Sequence, residues 1–398
     1  MKIIFIVDSI ERLHFFLRLG KALQHRHKIY FATTEPLVLI LAKANNIDTF
    51  YLNKRKILAE SFTTSEISEA AESSIEYLNN IYTEKTATNY ITAFSEQLKI
   101  IIEKTNADRI IIWNGQQTIG RAATLAARLT KSKKIYLEIA NLPNKIFADE
   151  YGVNALSSIA HNPEILDALP PVSDHFHARW MKEYESIKKQ PLPQARKNIK
   201  LKLQNTINIL LKALTLQIAP KEILNKIHTL LAIKTSSTSH REAINKPYIF
   251  LPLQVSTDTQ IKLHSDIDNT AAIEIAARQA KAENAKLVVK LHPAEKCQGE
   301  IKRIVKLQRT IGFKLTQEDT ITLIKNSKSV ITINSTVGLE ALLYNKDVIS
   351  LGRCFYKEFD QIRLKKYIHH YLIDGVSYFE SNPISYSQAA CLIKASEP

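Results

Sequence analysis

The strongest constraint on the fold is an alternation of short apolar runs with longer segments of helical pattern. The runs are rich in β-branched residues: KIIFIV, HKIYFAT, RIIIWNG, KKIYLEIA, YIFLPLQ, KLVVKLHP, SVITINS and KDVISLG. Strands that are apolar almost throughout, and that are separated by helix-length segments, are typical of parallel sheets covered by helices on both faces. The pattern therefore predicts an α/β protein.

The length of the chain predicts two domains, because 398 residues are more than one hydrophobic core usually serves. The first four runs predict a Rossmann-like domain over residues 1–185, and the last four predict a second over 246–375. Between them, residues 186–245 combine prolines, a basic run and an amphipathic pattern, which indicates a helical connector. A closing C-terminal helix is predicted for 376–398. Two such domains place a ligand cleft between the carboxyl ends of their sheets, which is the architecture of GT-B glycosyltransferases.

Three features indicate a cytoplasmic protein. The opening apolar run is only about five residues long and meets charged residues from Asp8 onward, so it predicts a first strand and not a signal peptide. No stretch approaches the roughly 20 apolar residues needed to cross a bilayer. The cysteines are odd in number, widely spaced and without metal-ligand spacing, which fits a reducing compartment; they are Cys297, Cys354 and Cys391.

The net charge of +15 comes from 54 Lys and Arg against 39 Asp and Glu. Such an excess favours nucleic acid, an anionic membrane face or phosphorylated small molecules as partners. The basic residues are spread along the chain, with a concentration at 186–202, and no nucleic-acid-binding signature accompanies them. We therefore do not expect nucleic acid as a partner. The chain also lacks a G-x-G-x-x-G fingerprint, which argues against a dehydrogenase.

In the second domain, the segment 329–352 starts as a strand and changes to a helix at Asn334, Ser335 and Thr336. Capping of a helix N-terminus alone would account for hydroxyl side chains at this place. The same helix end also offers free N–H groups and a positive dipole, which together bind phosphate. The segment therefore predicts either a simple cap or an anion site.

Two residues of the same helix extend the predicted anion site. Gly338 would let a ligand approach the backbone closely, and Glu340 could accept hydrogen bonds from a ribose or simply face solvent. A neighbouring apolar run ends in Lys290 and His292, at the edge of a parallel strand where ligands bind. An imidazole there donates to a phosphate, and the lysine adds charge. A third run ends in further polar residues, which converge with the other two in a Rossmann-like sheet; the predicted contacts are Gln254, Asp258 and Gln260.

The first domain supplies the predicted chemical groups. A strand ends in the tight turn Asn114–Gly115, and the following strand carries Glu138 near its end. Asp149 comes next, in a stretch rich in turn formers that also holds Asn154. Paired carboxylates near a cleft move protons and stabilise cationic sugar intermediates, although loop carboxylates are more often only solvated.

These segments resemble the capsule polysaccharide synthesis and export family, whose members are bacterial β-Kdo glycosyltransferases that use CMP-Kdo, where Kdo is 3-deoxy-D-manno-oct-2-ulosonic acid. The matching pieces follow the family's order from about residue 110 to 355: WNG, LEIANLPNKIFADEYGVNALSS, FLPLQVSTDTQ, VVKLHP and INSTVGLEALLYNKDVISLG. The first hundred residues, the connector and the C-terminal tail carry little of the pattern, so the acceptor side stays undefined.

The resemblance implies a GT-B enzyme at the cytoplasmic face of the inner membrane, with a CMP-sugar held by the second domain. His292, Ser335 and Thr336 also look like the motifs with which GT-B sialyltransferases hold the CMP phosphate. Asp149 matches the family's D-x-x-G-V-N acid and Glu138 its upstream glutamate. No metal cofactor is expected.

A β-Kdo product from a β-linked donor means retention of configuration, which by covalent catalysis needs a carboxylate nucleophile and a proton-handling group. We predict Asp149 as nucleophile and Glu138 as acid/base, with the reverse assignment open, and His292 as the group that stabilises the leaving CMP. The expected acceptor is a surface polysaccharide or glycolipid, and an O-antigen end, a lipid-linked primer and an oligo-Kdo linker all stay open. Two alternatives stay open. One is another CMP- or CDP-dependent transferase, a sialyltransferase or glycerophosphotransferase, and the other is a non-catalytic scaffold for polysaccharide export.

Overall fold

The structure, a computed structural model, describes residues 1–55, 57–140, 142–189, 199–214 and 247–394. The described residues form two compact units, here called the first and second domains. The first holds those within Met1–Ser158, Val172–Lys234 and His369–Pro398, and the second holds those within Ile159–Pro171 and Thr235–Ile368. Throughout these described ranges, every helix is too short or too polar to cross a lipid bilayer.

The first domain is built on a seven-stranded sheet with the order β12-β6-β5-β4-β1-β2-β3. Its strands are β1 Lys2–Val7, β2 Lys28–Thr33, β3 Asp48–Tyr51, β4 Arg109–Trp113, β5 Lys133–Ile139, β6 Lys145–Asp149 and β12 Ile373–Asp374. Strands β1 to β5 pair in parallel, whereas β6 is antiparallel to both β5 and β12. The sheet is therefore parallel in the middle and antiparallel at one edge.

Helices connect and cover this sheet. They are α1 Ile10–Leu23, α2 Pro36–Lys43, α3 Thr64–Glu72, α4 Ile75–Leu78, α5 Glu84–Thr105, α6 Thr118–Arg128, α8 Asp174–Lys188, α9 Ile199–Leu214 and α16 Tyr386–Lys394, with the π-helical turn Tyr367–Tyr371 at the domain boundary. A 3-10 turn, Asn154–Leu156, follows β6, and α7 spans Ser158–His161. Fully buried aromatic residues such as Phe5, Phe16 and Phe31 centre the core between β1, β2 and α1.

The second domain has a five-stranded parallel sheet with the order β11-β10-β7-β8-β9. Its strands are β7 Tyr248–Pro252, β8 Lys286–Lys290, β9 Lys314–Thr316, β10 Ser329–Thr332 and β11 Asp347–Ser350. Its helices are α10 Thr259–His264, α11 Asn269–Ala282, α12 Gln298–Ile311, α13 Thr320–Asn326, α14 Thr336–Leu343 and α15 Gln361–Lys366, together with the 3-10 turn Pro163–Leu166.

Apolar side chains on both faces of this sheet explain its near-continuous apolar strands. Along β7, Ile249 and Leu251 enter one core cluster, while Tyr248 and Phe250 enter the other. Side chains of a strand alternate between faces, so a strand covered on both sides must be apolar at every position. Both clusters are closed by helices, which is the arrangement of a doubly wound domain.

The predicted α/β fold class with two Rossmann-like domains is confirmed in each domain taken by itself, and each of the eight apolar runs contains a strand. Four strands were not predicted: β3, β6, β9 and β12. They are two to five residues long and lie at or near sheet edges, so their apolar signal is weak.

The division into domains differs from the predicted boundaries in two places. Residues 159–171 belong to the second domain, where Arg363 pairs with both carboxylate oxygens of Asp167 at 2.9 and 2.6 Å. The chain returns to the first domain at His369, and α16 packs there against α1. This helix is found within the segment 376–398 predicted for a closing helix. Of the predicted connector, 186–245, only 186–189 and 199–214 lie within the described residues.

Candidate functional site

Three strand ends of the second domain lie side by side. Strand β7 pairs in parallel with β10 on one side and β8 on the other, so their carboxyl ends share one edge. Directly beyond these ends, Gln254 and Asn334 bond to each other. The Gln254 side chain donates to Asn334 Oδ1 at 3.0 Å and accepts from the Asn334 backbone N–H at 3.1 Å. The predicted convergence of these segments is therefore confirmed.

Asn334 links several loops at this edge by hydrogen bonds. It is buried, and its Nδ2 donates to the backbone oxygens of Gln260, His264 and Arg353 at 2.9, 3.3 and 3.3 Å. Gln254 is buried as well, and its backbone N–H meets Asn269 Oδ1. Through these hydrogen bonds both side chains join the loops above the sheet to one another.

Helix α14 begins at this edge with Ser335 as its N-cap. The Ser335 hydroxyl accepts a hydrogen bond from the Val337 N–H at 3.2 Å, and Thr336 opens the helix at intermediate exposure. The Tyr356 hydroxyl donates to the Ser335 carbonyl oxygen. Capping is thus part of the role of Ser335, and it uses one of the N–H groups at the helix end.

Gly338 is needed for packing against Tyr356. A Cβ atom on Gly338 would lie 2.5 Å from the Tyr356 hydroxyl oxygen and 2.8 Å from the ring carbon Cε2. The space in front of this glycine is therefore filled by a side chain of the protein. We predicted that it would admit a ligand to the backbone, and the position of the Tyr356 ring corrects that prediction.

Lys290 and Glu340 are both more enclosed than the sequence suggested. Glu340 is buried, so it does not face solvent. Lys290 donates from Nζ to the Glu318 carbonyl oxygen at 2.6 Å and to Thr320 Oγ1 at 2.8 Å. Burial lowers the pKa of the Lys290 ammonium, while the charges of Asp319 and Glu340 oppose that shift. The lysine contributes positive charge to the edge, but two of its N–H donors are already bonded to protein oxygens.

His292 presents a defined hydrogen-bond donor at the end of β8. Its Nδ1 accepts from the Ala294 backbone N–H at 3.1 Å, so in the neutral ring the proton resides on Nε2. Burial lowers the pKa of the His292 imidazole, and Lys290 lowers it further, against the charges of Asp258 and Glu295. The ring is therefore neutral near pH 7, and Nε2–H is a donor for an anion.

The loop after β7 is tied to the His292 loop. Glu295 accepts the Ser256 N–H at 2.7 Å, and its other oxygen accepts the N–H groups of Lys296 and Cys297, both at 2.8 Å. Asp258 caps α10 by accepting the Gln260 N–H at 2.9 Å. Burial would raise the pKa of the Glu295 carboxyl, but these backbone donors hold it below its usual value. The two loops form one hydrogen-bonded rim.

In the first domain, Asp149 ends strand β6 and is fully buried, so its predicted position in a loop is corrected. Its Oδ1 accepts the N–H groups of Tyr151 and Gly152 at 2.7 and 3.1 Å. Its Oδ2 accepts the Ser158 N–H and hydroxyl at 2.9 and 2.5 Å and the Tyr371 hydroxyl at 2.6 Å. Five donors occupy the carboxylate, which is the arrangement of a residue that organises the loop 149–158.

Glu138 and Asn154 are less enclosed than Asp149. Glu138 lies at the second-last position of β5 at intermediate exposure, and its Oε1 accepts the Ile139 N–H at 3.0 Å. Asn154 adopts a left-handed backbone, φ +53°, and its carbonyl accepts the Ser157 hydroxyl at 2.6 Å. Both therefore retain side-chain surface near the loop that Asp149 organises.

The turn Asn114–Gly115 is confirmed, with φ +40° and +72°. A Cβ on Gly115 would lie 2.6 Å from the Tyr136 ring, so the position needs glycine for both reasons. The Asn114 side chain accepts the Gln116 N–H at 3.1 Å and the Gln117 amide at 3.0 Å. Its predicted role in substrate binding stays a prediction.

Gln117 contacts an ion pair at the end of β1, formed by Asp8 and Arg12. Its amide donates to Asp8 Oδ2 at 3.2 Å and accepts from Arg12 Nη1 at 2.9 Å, while Arg12 also pairs with Asp8. Among the described residues, Asp8 Oδ1 finds no hydrogen-bond partner. Burial raises the pKa of Asp8 to about 6, although Arg12 opposes that shift.

The sequence-based prediction missed Asp8, Tyr356 and Tyr371. Asp8 follows a buried strand directly, so the rule that identified the other strand ends could have found it. The two tyrosines have no local signal, because they reach Ser335 and Asp149 from 21 and 222 positions along the chain. No group of three or more His, Cys, Asp or Glu that could hold a metal occurs among the described residues. The expectation of no metal cofactor stays a prediction.

These features define the class of protein: a two-domain α/β protein with mainly parallel sheets, whose second domain gathers polar side chains at neighbouring strand ends. The chain belongs to the family described as capsule polysaccharide biosynthesis protein, since a sequence model of that family matches residues 108–370, more than half of the chain.

Individual relatives match shorter stretches. Protein FixF of Sinorhizobium fredii is 38% identical over 112 residues, 26% of this chain and 26% of that protein. Capsule polysaccharide modification protein LipB of Neisseria meningitidis serogroup A is 28% identical over 116 residues, 26% of this chain and 28% of that protein. The chain thus spans about a quarter of the length of these curated relatives.

Solved structures similar to the chain include two of KpsC from Thermosulfurimonas dismutans. The beta Kdo 2,7 transferase is 14% identical with a TM-score of 0.45, covering 99% of this chain and 98% of that chain. The beta Kdo 2,4 transferase is 15% identical with a TM-score of 0.44, covering 72% of this chain and 88% of that chain.

Proposed function

We propose that the protein is a retaining glycosyltransferase that moves Kdo from CMP-β-Kdo to a surface-polysaccharide or glycolipid acceptor. Membership of the capsule polysaccharide biosynthesis family and the names of the similar KpsC structures agree with this proposal. The observation that carries it is the position of His292, which follows the end of β8 and keeps Nε2–H as a donor, while α14 begins beyond the end of β10; both strands pair with β7, one on each side.

The donor half of the proposal concerns the CMP phosphate. As the bond to the sugar breaks, negative charge grows on this phosphate, so a donor aimed at it stabilises the transition state more than the ground state. In our proposal His292 Nε2–H supplies that donor, and Thr336 together with the positive end of the α14 dipole supplies the rest. Lys290 adds charge from behind without itself contacting the phosphate.

The two carboxylates take different roles in the proposal. Retention by two inversions needs a nucleophile with access to the anomeric carbon. Glu138 keeps side-chain surface, whereas both oxygens of Asp149 are occupied by five donors. This geometry supports the reverse of our first assignment: Glu138 acts on the reacting sugar, and Asp149 positions the loop 149–158.

The test is the release of CMP from CMP-Kdo by purified variants. We expect His292→Ala to lower kcat and to weaken donor binding, with a fall in kcat/KM of about 100-fold or more. Glu138→Gln should lose turnover while it keeps its Tm and its affinity for CMP. A Glu138→Gln enzyme with near-normal turnover would remove this residue from the chemistry.

The choice of donor separates the proposal from its alternatives. Release of nucleotide from CMP-sialic acid or CDP-glycerol, and not from CMP-Kdo, would identify a different CMP- or CDP-dependent transferase. Tight glycan binding without any nucleotide release would identify an export scaffold.

Turnover that survives EDTA would agree with a metal-free reaction, which we also propose. We further place the enzyme in the cytoplasm, at the anionic inner-membrane surface where such acceptors are assembled.

A further inference from the structure

Helix α9, Ile199–Leu214, is fastened to the first domain by a polar face. Asn208 is buried, donates to Glu35 Oε2 at 2.5 Å and accepts the Leu37 N–H at 3.1 Å. Lys212 pairs with the other Glu35 oxygen at 2.5 Å. His14 and Gln204 lie 2.7 Å apart, between α1 and α9. These contacts settle which face of the helix meets the protein.

The opposite face of α9 is apolar and exposed. Five apolar side chains, here called the α9 stripe, are between 39% and 80% exposed: Ile199, Leu203, Ile207, Leu210 and Leu214. Their spacing of four, four, three and four residues places them within a sector of about 80° on a helix of 3.6 residues per turn. Scattered exposed apolar residues are ordinary on protein surfaces, but a continuous stripe of five marks an interaction surface.

Positive charge flanks the stripe. Lys200 and Lys202 are both exposed, and at 100° per residue they lie on opposite sides of the stripe. Helix α9 contains three lysines and no acidic residue. The neighbouring helix α2 adds Ile40, which is 56% exposed, and the exposed Lys43. An apolar stripe bordered by lysines is the pattern of a helix that lies in a membrane interface.

We propose that the α9 stripe is a docking surface for an anionic lipid membrane. The apolar side chains enter the boundary between headgroups and acyl chains, and Lys200 and Lys202 meet lipid phosphates. The polar contacts to Glu35 and Leu37 keep α9 attached to the domain, so the whole protein is carried to the membrane. This surface belongs to the first domain; the inference rests on the proposed placement at an anionic membrane, for which it names the contact, and not on the proposed transfer reaction.

Charge favours lipid over two other occupants. A second copy docked about a two-fold axis would bring two sets of the same lysines together. Residues 215–246 of this chain carry five Lys and Arg against two Glu, so they would also meet the lysines with like charge. An anionic lipid surface complements the lysines and the +15 net charge of the whole chain.

The experiment is flotation of the full chain with vesicles of phosphatidylcholine alone or mixed with phosphatidylglycerol. We expect binding only to the mixture. The double variant Leu203→Gln/Leu210→Gln should bind at least about tenfold more weakly, since apolar area drives insertion. The matched control is Ile100→Gln, which removes a 60% exposed apolar side chain from α5 and should bind like the wild type.

Two double variants, each of which removes two lysine charges, test whether Lys200 and Lys202 contribute to membrane binding. Lys200→Gln/Lys202→Gln should weaken binding to the anionic vesicles about 30-fold, at roughly a factor of five per lysine near the surface. The control Lys302→Gln/Lys306→Gln removes equal charge from the exposed face of α12 and should change binding far less. As a direct readout, Trp emission from Ile207→Trp should shift to the blue only with anionic vesicles.

Several results would overturn the proposal. One is a stripe variant that floats as well as the wild type, and another is equal binding to both kinds of vesicle. Light scattering could instead show that the wild type is an oligomer, that lipid does not change its mass, and that Leu203→Gln/Leu210→Gln is a monomer. That result would identify the α9 stripe as an interface between copies. If the wild type is a monomer that does not bind vesicles and its α9 amides are protected from hydrogen exchange, residues 215–246 would be identified as the occupant of the stripe. Flotation needs no sugar donor, so its failure leaves the transfer reaction untouched.

Discussion

Two aspartates of the first domain show how surroundings decide what a carboxylate does. Asp149 is saturated by five donors, whereas Asp8 is buried with one oxygen that lacks a partner among the described residues. The neighbours in sequence reveal only part of either environment, since Asp149 also accepts from Tyr371 and Asp8 from Gln117. Each carboxylate makes its own testable prediction about stability.

Asp8 should make stability fall as pH rises. Its folded pKa of about 6 lies above the ordinary value of 3.8, so the folded state holds this proton more tightly. The resulting stabilisation is fully present below pH 3.8 and is lost as pH rises through 6. Between pH 4.5 and 7.5 the wild type should lose about 2 kcal/mol relative to Asp8→Asn. Urea unfolding of both proteins at the two pH values measures this difference, and a constant difference would contradict the buried, raised carboxyl.

Asp149→Asn should unfold the loop that this residue holds. An amide offers one acceptor oxygen and turns its NH₂ toward donors, so backbone N–H groups of the loop lose their partner. We expect a loss of about 2–4 kcal/mol in the free energy of unfolding. Tyr371→Phe, which removes a single donor, should cost about 1 kcal/mol. If Asp149→Asn keeps its Tm but loses turnover, Asp149 is the nucleophile after all.

At the scale of elements, the site is built from strand ends and the helix that follows them. The order β10-β7-β8 brings three polar loops to one edge, and α14 turns its N-terminus toward that edge. Tyr356 fixes the first turn of α14 by bonding to Ser335 and filling the space in front of Gly338. The position of this helix end therefore depends on one aromatic ring.

Gly338→Ala tests that dependence. The added Cβ would lie 2.5 Å from the Tyr356 hydroxyl oxygen, so ring or helix must move. We expect a loss of about 1–3 kcal/mol in stability together with weaker CMP binding, measured by thermal unfolding and calorimetry. Gly299→Ala is the matched control in another helix, because its Cβ would meet only Cys297 Sγ, at 3.9 Å. Equal effects of the two changes would argue against the packing role of Tyr356.

At the scale of the whole molecule, the chain passes between the domains more than once. Residues 159–171 join the second domain through Asp167 and Arg363, and the chain returns to the first at His369. Neither domain is a continuous stretch of sequence. Experiments on the site therefore use the full chain.

Hydrogen exchange with and without CMP tests where the nucleotide binds in the full chain. We expect the largest protection in peptides covering 254–260, 290–296 and 334–340, because these loops share one edge of the second sheet. His292→Ala should lose most of that protection at the same CMP concentration. Protection confined to peptides of the first domain would overturn the assignment of the donor site to residues 292 and 335–336.

The sequence by itself determined the α/β class, the parallel pairing of the eight apolar runs and the three strand ends that meet in the second domain. These follow from local periodicity, since a strand buried on both faces must be apolar throughout. Only the tertiary structure decided which polar side chains at those ends remain available. Asn334, Gln254, Lys290 and Asp149 are engaged by groups distant in sequence, and Tyr356 and Tyr371 arrive from other elements. Hydrogen-bond saturation depends on contacts in space, which no pattern along the chain encodes.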